Sequence, residues 1–233
     1  MNTRRFCLLF AFLVILLPQL AHAHFLWLIP AAGEDAANQV HLYFGELAMA
    51  DDPALLDNVM AAMVWQLDAA GKKVDLKTST GEESIIVESV INGVPTAVAA
   101  SHNWGVLQRG DTAFVLQYYA KTYHNAEPSD WGSIDSAKSL KFDITPARID
   151  NKQIELTVKW DGNPLADAEV KVEDHNGAVE VEGKTDADGK FVFEAPADHT
   201  YSIRAKHVVD QAGEIDGKSY SDIRNYSTLA IRL

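Results

Sequence analysis

The sequence predicts an all-β fold built from two antiparallel β-sandwich units. Short runs rich in Val, Ile, Phe and Tyr recur along the chain and are separated by Gly, Asp, Asn and Pro, which is typical of strands joined by turns. Within these runs apolar and polar residues alternate: Val40, Leu42 and Phe44 alternate with His41 and Tyr43. This period of two predicts strands with one buried face.

The first 23 residues predict a cleaved secretory signal peptide. Arg4 and Arg5 precede an apolar run at 6–17, and Ala21 and Ala23 have the small-residue spacing that signal peptidase accepts. The run is shorter than the roughly 20 residues that a membrane-spanning helix needs. We therefore expect cleavage after Ala23, no transmembrane segment in the mature chain, and a periplasmic or secreted location.

The N-terminal unit is predicted at 24–136 and contains one helical segment. Asp52 can cap a helix and Pro53 suits its first position, so "DDPALLDNVMAAM" predicts a helix. The remaining patterns predict β structure: strands at 25–30 and 40–46, hairpins at 62–76 and 84–101, the second turning at Asn92-Gly93, and a long strand at 112–123.

The C-terminal unit is predicted at 137–233. The stretch at 125–139 loses periodicity and gathers Pro, Gly, Ser and Asp, which indicates a boundary. Short alternating strands then follow at intervals of roughly 8–12 residues, as in a small antiparallel sandwich. Within this unit, "TDADGKF" at 185–191 resembles a calcium loop, but Ala197 stands where a ligating Glu is needed, which favours a tight turn.

Composition and motifs exclude several functions. Without Arg4 and Arg5 the chain keeps 18 basic residues against 33 acidic ones, a formal charge of −15 that disfavours nucleic-acid binding. The single cysteine, Cys7, lies in the predicted leader, so the mature chain has no thiol. No nucleophile elbow, phosphate-binding loop, dinucleotide fingerprint or HExxH motif is present.

Seven histidines follow the leader, and His24 is the most informative of them. Cleavage after Ala23 makes it the first residue, with an α-amine and a ring nitrogen that can chelate one metal ion. A free α-amine has an ordinary pKa of roughly 7.7–8.0 and can therefore release its proton to a metal near neutral pH. A second histidine would complete the three-nitrogen arrangement called a histidine brace. The alternative is that a histidine stands at this junction by coincidence.

Other histidines are candidates for the remaining ligands. His102, His124 and His207 continue the apolar parity of a predicted strand to its end, where a polar ring reaches the rim of a sandwich. We take His24, His102 and His207 as the metal-binding set, with His124 or His41 as replacements for His102. Each ring could instead cap its strand through a bond to a loop carbonyl.

The chain resembles an exported bacterial family built on a domain of unknown function and associated with the periplasmic component of nickel and cobalt uptake systems. The resemblance rests on "AHFLWLIP" at 23–30, "VHLYFGE" at 40–46, "DDPALLD" at 51–57, "NWGV" at 103–106, "YYAK" at 118–121, "DGNPLADAEV" with "TDADGKFVF", and "KHV…GEIDGKSY". It implies two sandwiches of immunoglobulin-like or prealbumin-like type, the second like a carboxypeptidase regulatory domain. It also implies transition-metal handling, with His24 and His207 as recurring residues.

The sequence therefore predicts a periplasmic protein that captures or delivers nickel, cobalt or copper, with a membrane uptake system as its partner. Imidazole ligands suit these ions, and intrinsic affinity places copper first. Two alternatives remain. One is a non-catalytic interaction or adhesion module that needs no metal, and the other is a copper oxidase that uses the same brace. Whether the protein is an enzyme stays open, and the absence of catalytic motifs favours a binding role.

Overall fold

The computed structural model describes residues 23–31, 39–88 and 93–233. These residues form an all-β sandwich, as the alternation predicts, with a central eight-stranded sheet between two four-stranded sheets. Apart from Ala23, the predicted leader lies outside the described residues. Within the described part of the chain, no helix is long and apolar enough to cross a membrane.

The described strands are β1 (Phe25–Pro30), β2 (Val40–Gly45), β3 (Met63–Asp68), β4 (Lys73–Asp75), β5 (Lys77–Thr80), β6 (Ile85–Glu88), β7 (Thr96–Arg109), β8 (Thr112–His124), β9 (Phe142–Arg148), β10 (Gln153–Trp160), β11 (Asn163–Pro164), β12 (Glu169–Asp174), β13 (Glu180–Lys184), β14 (Lys190–Glu194), β15 (Thr200–Val209), β16 (Gly213–Ile215), β17 (Lys218–Tyr220) and β18 (Asp222–Arg232). The described residues also contain two short 3-10 helices, at Pro53–Val59 and Trp131–Ser133.

Three sheets and one hairpin contain these strands. The N-terminal sheet has the order β1-β2-β6-β5, and the central sheet has the order β13-β12-β15-β18-β8-β7-β3-β4. The C-terminal sheet has the order β11-β10-β14, with β9 paired to β10 as well. Strands β16 and β17 form a separate hairpin.

Consecutive residues of β7 supply two different cores. Ala97 and Ala99 pack beneath the C-terminal sheet, whereas Val98 and Ala100 pack beneath the N-terminal sheet. Because successive side chains of a strand point to opposite faces, the central sheet is buried on both sides here. This explains why "TAVAA" is an unbroken apolar run rather than a strict alternation.

The two predicted units meet in the central sheet. Strand β18 runs parallel to β8, with Asp222 opposite Phe114 and Ala230 opposite Thr122. One sheet therefore contains strands from both 24–136 and 137–233. Hydrogen bonding in this sheet continues from one unit into the other. The division into two domains stays a prediction.

A buried ion pair also joins the two units. Lys121 on β8 donates from Nζ to Asp143 Oδ1 on β9 at 2.6 Å and to Ser136 Oγ at 2.8 Å. Thr145 Oγ1 donates to the other carboxylate oxygen at 2.9 Å. The two charged side chains are 1 % and 0 % exposed. Burial lowers the pKa of Lys121, and the adjacent Asp143 opposes that shift.

The predicted hairpins have different outcomes. The hairpin at 62–76 is confirmed, since β3 and β4 pair antiparallel with Trp65 opposite Asp75. The hairpin at 84–101 is wrong. Strand β6 pairs with β2 and β5, while β7 pairs with β3 and β8, so the two strands lie in different sheets. Of the expected turn at Asn92-Gly93, Asn92 lies outside the described residues.

The predicted helix at 51–63 is a 3-10 helix of seven residues, Pro53–Val59. Asp52 caps it as expected, its side chain accepting from the Ala54 amide. Leu56 and Val59 are buried, and their spacing of three matches the three residues per turn of a 3-10 helix. The chain enters β3 directly afterwards, which leaves no room for a longer helix.

Candidate functional site

His24 lies immediately before β1, at the edge of the N-terminal sheet. Its Nε2 lies 3.5 Å from Asp51 Oδ2, and the side chains are 23 % and 39 % exposed. The separation is longer than a normal hydrogen bond. The two groups are therefore close neighbours, and both side chains are partly exposed to solvent.

Gly45 allows Asp51 to approach this position. A Cβ on Gly45 would lie 3.0 Å from Asp51 Cβ and 3.2 Å from Asp51 Oδ2, so a larger residue would displace the carboxylate. Backbone amides also position Asp51: Asp52 donates to Oδ1 at 2.8 Å, and Glu46 donates to Oδ2 at 3.4 Å. The carboxylate is thus held by the local chain rather than by a cationic partner.

The backbone and ring of His24 are held from two sides. The Tyr118 hydroxyl donates to the His24 carbonyl at 3.1 Å. The next residue, Phe25, is buried, and the His24 ring lies 5.7 Å from the Phe44 ring. These contacts fix His24 on the fold, so its ring has a defined position relative to Asp51.

His102 lies on the same face of the central sheet as this site but does not reach it. Its ring packs edge-on against Trp104 at 6.0 Å, and Trp104 stacks on Phe44 at 5.7 Å. Two aromatic rings therefore stand between His102 and His24. Burial lowers the pKa of His102, with partial compensation from a hydrogen bond to the Asn58 backbone.

His207 lies on the opposite face of the central sheet. Its ring packs 4.7 Å from Trp160 and 6.1 Å from Phe142, both on strands of the C-terminal sheet. Arg204, of opposite parity on β15, lies over the Phe25 ring on the His24 side. His207 and His24 therefore lie on opposite faces of the central sheet, because the apolar parity of β15 leads into the core beneath the C-terminal sheet.

The two replacement candidates are also distant in the fold. His41 shares a 2.6 Å hydrogen bond with Ser84 and stacks on Tyr43 at 5.9 Å. His124 is buried at the end of β8, opposite Thr96. In the described ranges, no group of three or more His, Cys, Asp or Glu side chains could hold a metal ion. The described structure thus does not bring His24, His102 and His207 together, and it places Asp51, which the sequence analysis named only within "DDPALLD", beside His24.

Ser202, His175 and Asp174 lie near one another but do not form a Ser-His-Asp triad of the hydrolase type. His175 Nε2 lies 3.0 Å from Ser202 Oγ, whereas the neighbouring Asp174 carboxylate contacts His199 at 2.5 Å. Asp174 therefore contacts His199, whereas Ser202 contacts His175, so the carboxylate and the serine are bound to different histidines. Ser202 is buried, and its oxygen accepts from the Ala48 amide at 2.8 Å, so its hydroxyl is a structural group.

Several solved structures are distantly similar to the chain. A two-domain fibronectin type-III segment of chicken tenascin is 10 % identical, with 84 % of this chain and 93 % of that chain covered and a TM-score of 0.24. A tetra-tandem repeat of a large adhesion protein is 15 % identical over 90 % of this chain and 49 % of that one, with a TM-score of 0.24. A pullulanase from Anoxybacillus sp. LM18-11 is 11 % identical over 78 % and 24 %, with a TM-score of 0.19. Likeness at this level carries no functional argument.

Family membership rests on the sequence comparison. No curated protein matches the chain. A family model described as a domain of unknown function, DUF4198, matches residues 21–209, which include His24, Asp51, His102 and His207. The match covers most of the chain, and the protein therefore belongs to the DUF4198 family.

Proposed function

We propose that this is an exported protein that binds a divalent transition-metal ion through the amino-terminal His24, with Asp51 positioning its ring. Cleavage after Ala23 gives His24 a free α-amine, which closes a chelate with Nδ1 of its own imidazole. The observation that carries the proposal is the 3.5 Å separation of His24 Nε2 and Asp51 Oδ2. An imidazole that binds an ion through Nδ1 carries its proton on Nε2, and a carboxylate facing that nitrogen orients the ring and raises its basicity.

The α-amine is an essential part of this site. The side chains supply one donor to this ion, Nδ1 of His24, and the described residues bring no group of three His, Cys, Asp or Glu side chains to the same place. An uncleaved chain has an amide at this position, and an amide nitrogen is a poor ligand. The proposed metal binding therefore requires that the bond between Ala23 and His24 is cleaved.

The amine and imidazole nitrogens of His24 define the ions that fit. Imidazole suits nickel, copper and zinc, and the order of intrinsic affinities places copper above nickel and cobalt. The association suggested by the resemblance favours nickel or cobalt. Because His24 and Asp51 lie at an open sheet edge, an ion can enter from solvent and be passed to a membrane uptake system.

The test requires protein processed by its own leader. The protein is purified from the periplasm, and its intact mass is compared with that of a chain starting at His24. Calorimetric titrations with Ni²⁺ and Cu²⁺ should then show one site. Adding one alanine before His24, or replacing Asp51→Asn, should weaken binding by more than about tenfold, which corresponds to roughly 1.4 kcal/mol.

Asp57→Asn is the matched control. This aspartate lies on the neighbouring 3-10 helix and is exposed, so its replacement should leave the affinity unchanged. Absence of any metal-dependent heat from the processed protein would reject the proposal and leave the metal-free interaction module as the better interpretation. Equal affinity in the alanine-extended chain would reject the role of the α-amine.

A further inference from the structure

A groove of about 540 Å³ lies between the start of β1 and the edge strands of the central sheet. Phe25 and Tyr226 form one wall, and β12, β13 and β15 form the floor. We call it the Arg204 groove, after the guanidinium on its floor. Its lining carries four cationic side chains, although the mature chain as a whole is strongly acidic: Lys171, Lys184, Arg204 and Lys206.

Two of these lysines are already neutralised by glutamates. Lys171 Nζ lies 3.0 Å from Glu173, 3.1 Å from Glu180 and 3.4 Å from Glu182. Lys206 lies 2.9 Å from Glu169. Their charge is used within the protein, so they contribute little to the attraction of a ligand.

Arg204 differs from these lysines. Among the described residues, no carboxylate lies at ion-pair distance from its guanidinium, and Glu173 and Glu182 act on it only from farther away. The group is half-buried and lies 4.1 Å over the Phe25 ring. Burial lowers the pKa of Arg204, because its charge has lost water without gaining a contacting counter-ion.

Stacking also orients the guanidinium. A planar group that packs its face on an aromatic ring keeps its in-plane N–H donors available for a two-point contact with an oxyanion. Arg224 stacks similarly on Phe114 at 3.7 Å, but its Nε already donates to Asp222 at 2.8 Å. Arg204 therefore has the freer donor edge.

We infer that the Arg204 groove binds a small oxyanion, through carboxylate or phosphate groups, with the Arg204 guanidinium as its two-point anchor. Tyr226, opposite Lys206 across β15 and β18, also lines the groove, and its hydroxyl can bind the same ligand. Since Phe25 follows His24, the charge of a mature amino terminus lies close by and adds to the attraction. The site requires no metal, and its existence is independent of the proposed metal binding.

The experiment uses metal-free protein that begins at His24. Calorimetric titration with citrate and, separately, with inorganic phosphate identifies which oxyanion is bound. We expect one saturable site for at least one of them, weakened by added NaCl because the contact is ionic. Arg204→Gln should weaken the binding by more than about tenfold, since a charge-assisted two-point contact is lost.

Arg148→Gln is the matched control, because Arg148 is an exposed arginine on the C-terminal sheet, away from the groove. It should leave the affinity unchanged. Arg204→Lys keeps the charge without the planar fork and should give an intermediate affinity if it folds, which a thermal melt verifies. The inference is overturned if neither citrate nor phosphate binds, or if Arg204→Gln and Arg148→Gln weaken the binding equally.

Discussion

Two contacts between a nitrogen group and a carboxylate illustrate opposite uses of similar chemistry. Lys121 and Asp143 meet at 2.6 Å with side chains 1 % and 0 % exposed, and Ser136 and Thr145 complete their hydrogen bonds. His24 and Asp51 stand 3.5 Å apart and are partly exposed. The buried pair has no free direction from which a ligand could approach, whereas the open pair has one. Exposure and incomplete hydrogen bonding, rather than opposite charge, mark the candidate site.

A third contact lies between these extremes. Asp174 is completely buried as a side chain, while its partner His199 is 20 % exposed. Burial by itself would raise the pKa of Asp174, but bonds from the Val179 amide, His199 and the Ala178 amide lower it, and the lowering prevails. These contacts differ in burial. We therefore expect the effects of mutation to decrease from the buried Lys121–Asp143 pair to the exposed pairs.

Lys121→Met should have the largest effect. It leaves the Asp143 carboxylate buried without its cation, and breaking such a pair costs about 3–5 kcal/mol of unfolding free energy. Urea denaturation followed by tryptophan fluorescence measures the loss. The double variant Lys121→Met with Asp143→Leu should recover most of it, because no charge then remains buried. A double variant as unstable as the single one would show that the pair is not the cause.

Asp174→Asn should have a smaller effect, about 1–3 kcal/mol, since it disturbs bonds to His199 and two amides. The pH dependence follows from the lowered pKa. A carboxylate whose pKa is lower in the folded state stabilises the protein above its unfolded pKa, roughly 3.9, and loses that contribution as the pH falls through the folded value. The wild type should therefore lose stability below about pH 4 more steeply than Asp174→Asn. Parallel acid profiles of unfolding free energy would contradict this account.

Gly45→Ala tests the open pair without removing a ligand. The added Cβ would meet Asp51 at 3.0 Å and push its carboxylate away from His24. We expect metal affinity to fall about tenfold, in the range found when the support of a ligand is altered, with little change in melting temperature because Asp51 can move into solvent. Gly132→Ala is the control, since nothing lies within 4 Å of its added Cβ. Unchanged affinity in Gly45→Ala would place Asp51 outside the metal site.

Lys206→Met should have the smallest effect. Its contact with Glu169 at 2.9 Å joins side chains that are 31 % and 57 % exposed. Solvent-exposed pairs of this kind contribute less than about 1 kcal/mol. A larger loss of unfolding free energy in urea would mean that the floor of the Arg204 groove depends on this pair.

Local pattern was sufficient to predict many of the strands. The expected strand at 112–123 is β8 (Thr112–His124), because alternating and aromatic residues favour a half-buried strand wherever it pairs. Pairing was harder to predict. The parallel contact of β8 with β18 joins residues about 100 positions apart, and nothing in either segment encodes its partner. The wrong hairpin at 84–101 has the same origin, since turn residues between two strands do not determine whether the strands share a sheet.

The candidate site was predictable only in part. His24 stood out because of its position beside a cleavage motif, which is local information. The candidate role of His207 rests on the alternation of apolar residues along its strand. This alternation identifies the buried face of the strand, but it does not identify which of the two cores that face contacts. Asp51 was missed because its approach depends on the missing Cβ of Gly45 and on the pairing of Phe25 with Gly45 across β1 and β2.

The position of Ala23 bears on the cleavage that we propose. Ala23 packs against the N-terminal core, and the carbonyl of the next residue accepts a hydrogen bond from Tyr118. Both contacts hold the bond between Ala23 and His24 against the fold once β1 is docked. A peptidase that needs an extended substrate is therefore expected to cut the proposed bond before β1 docks.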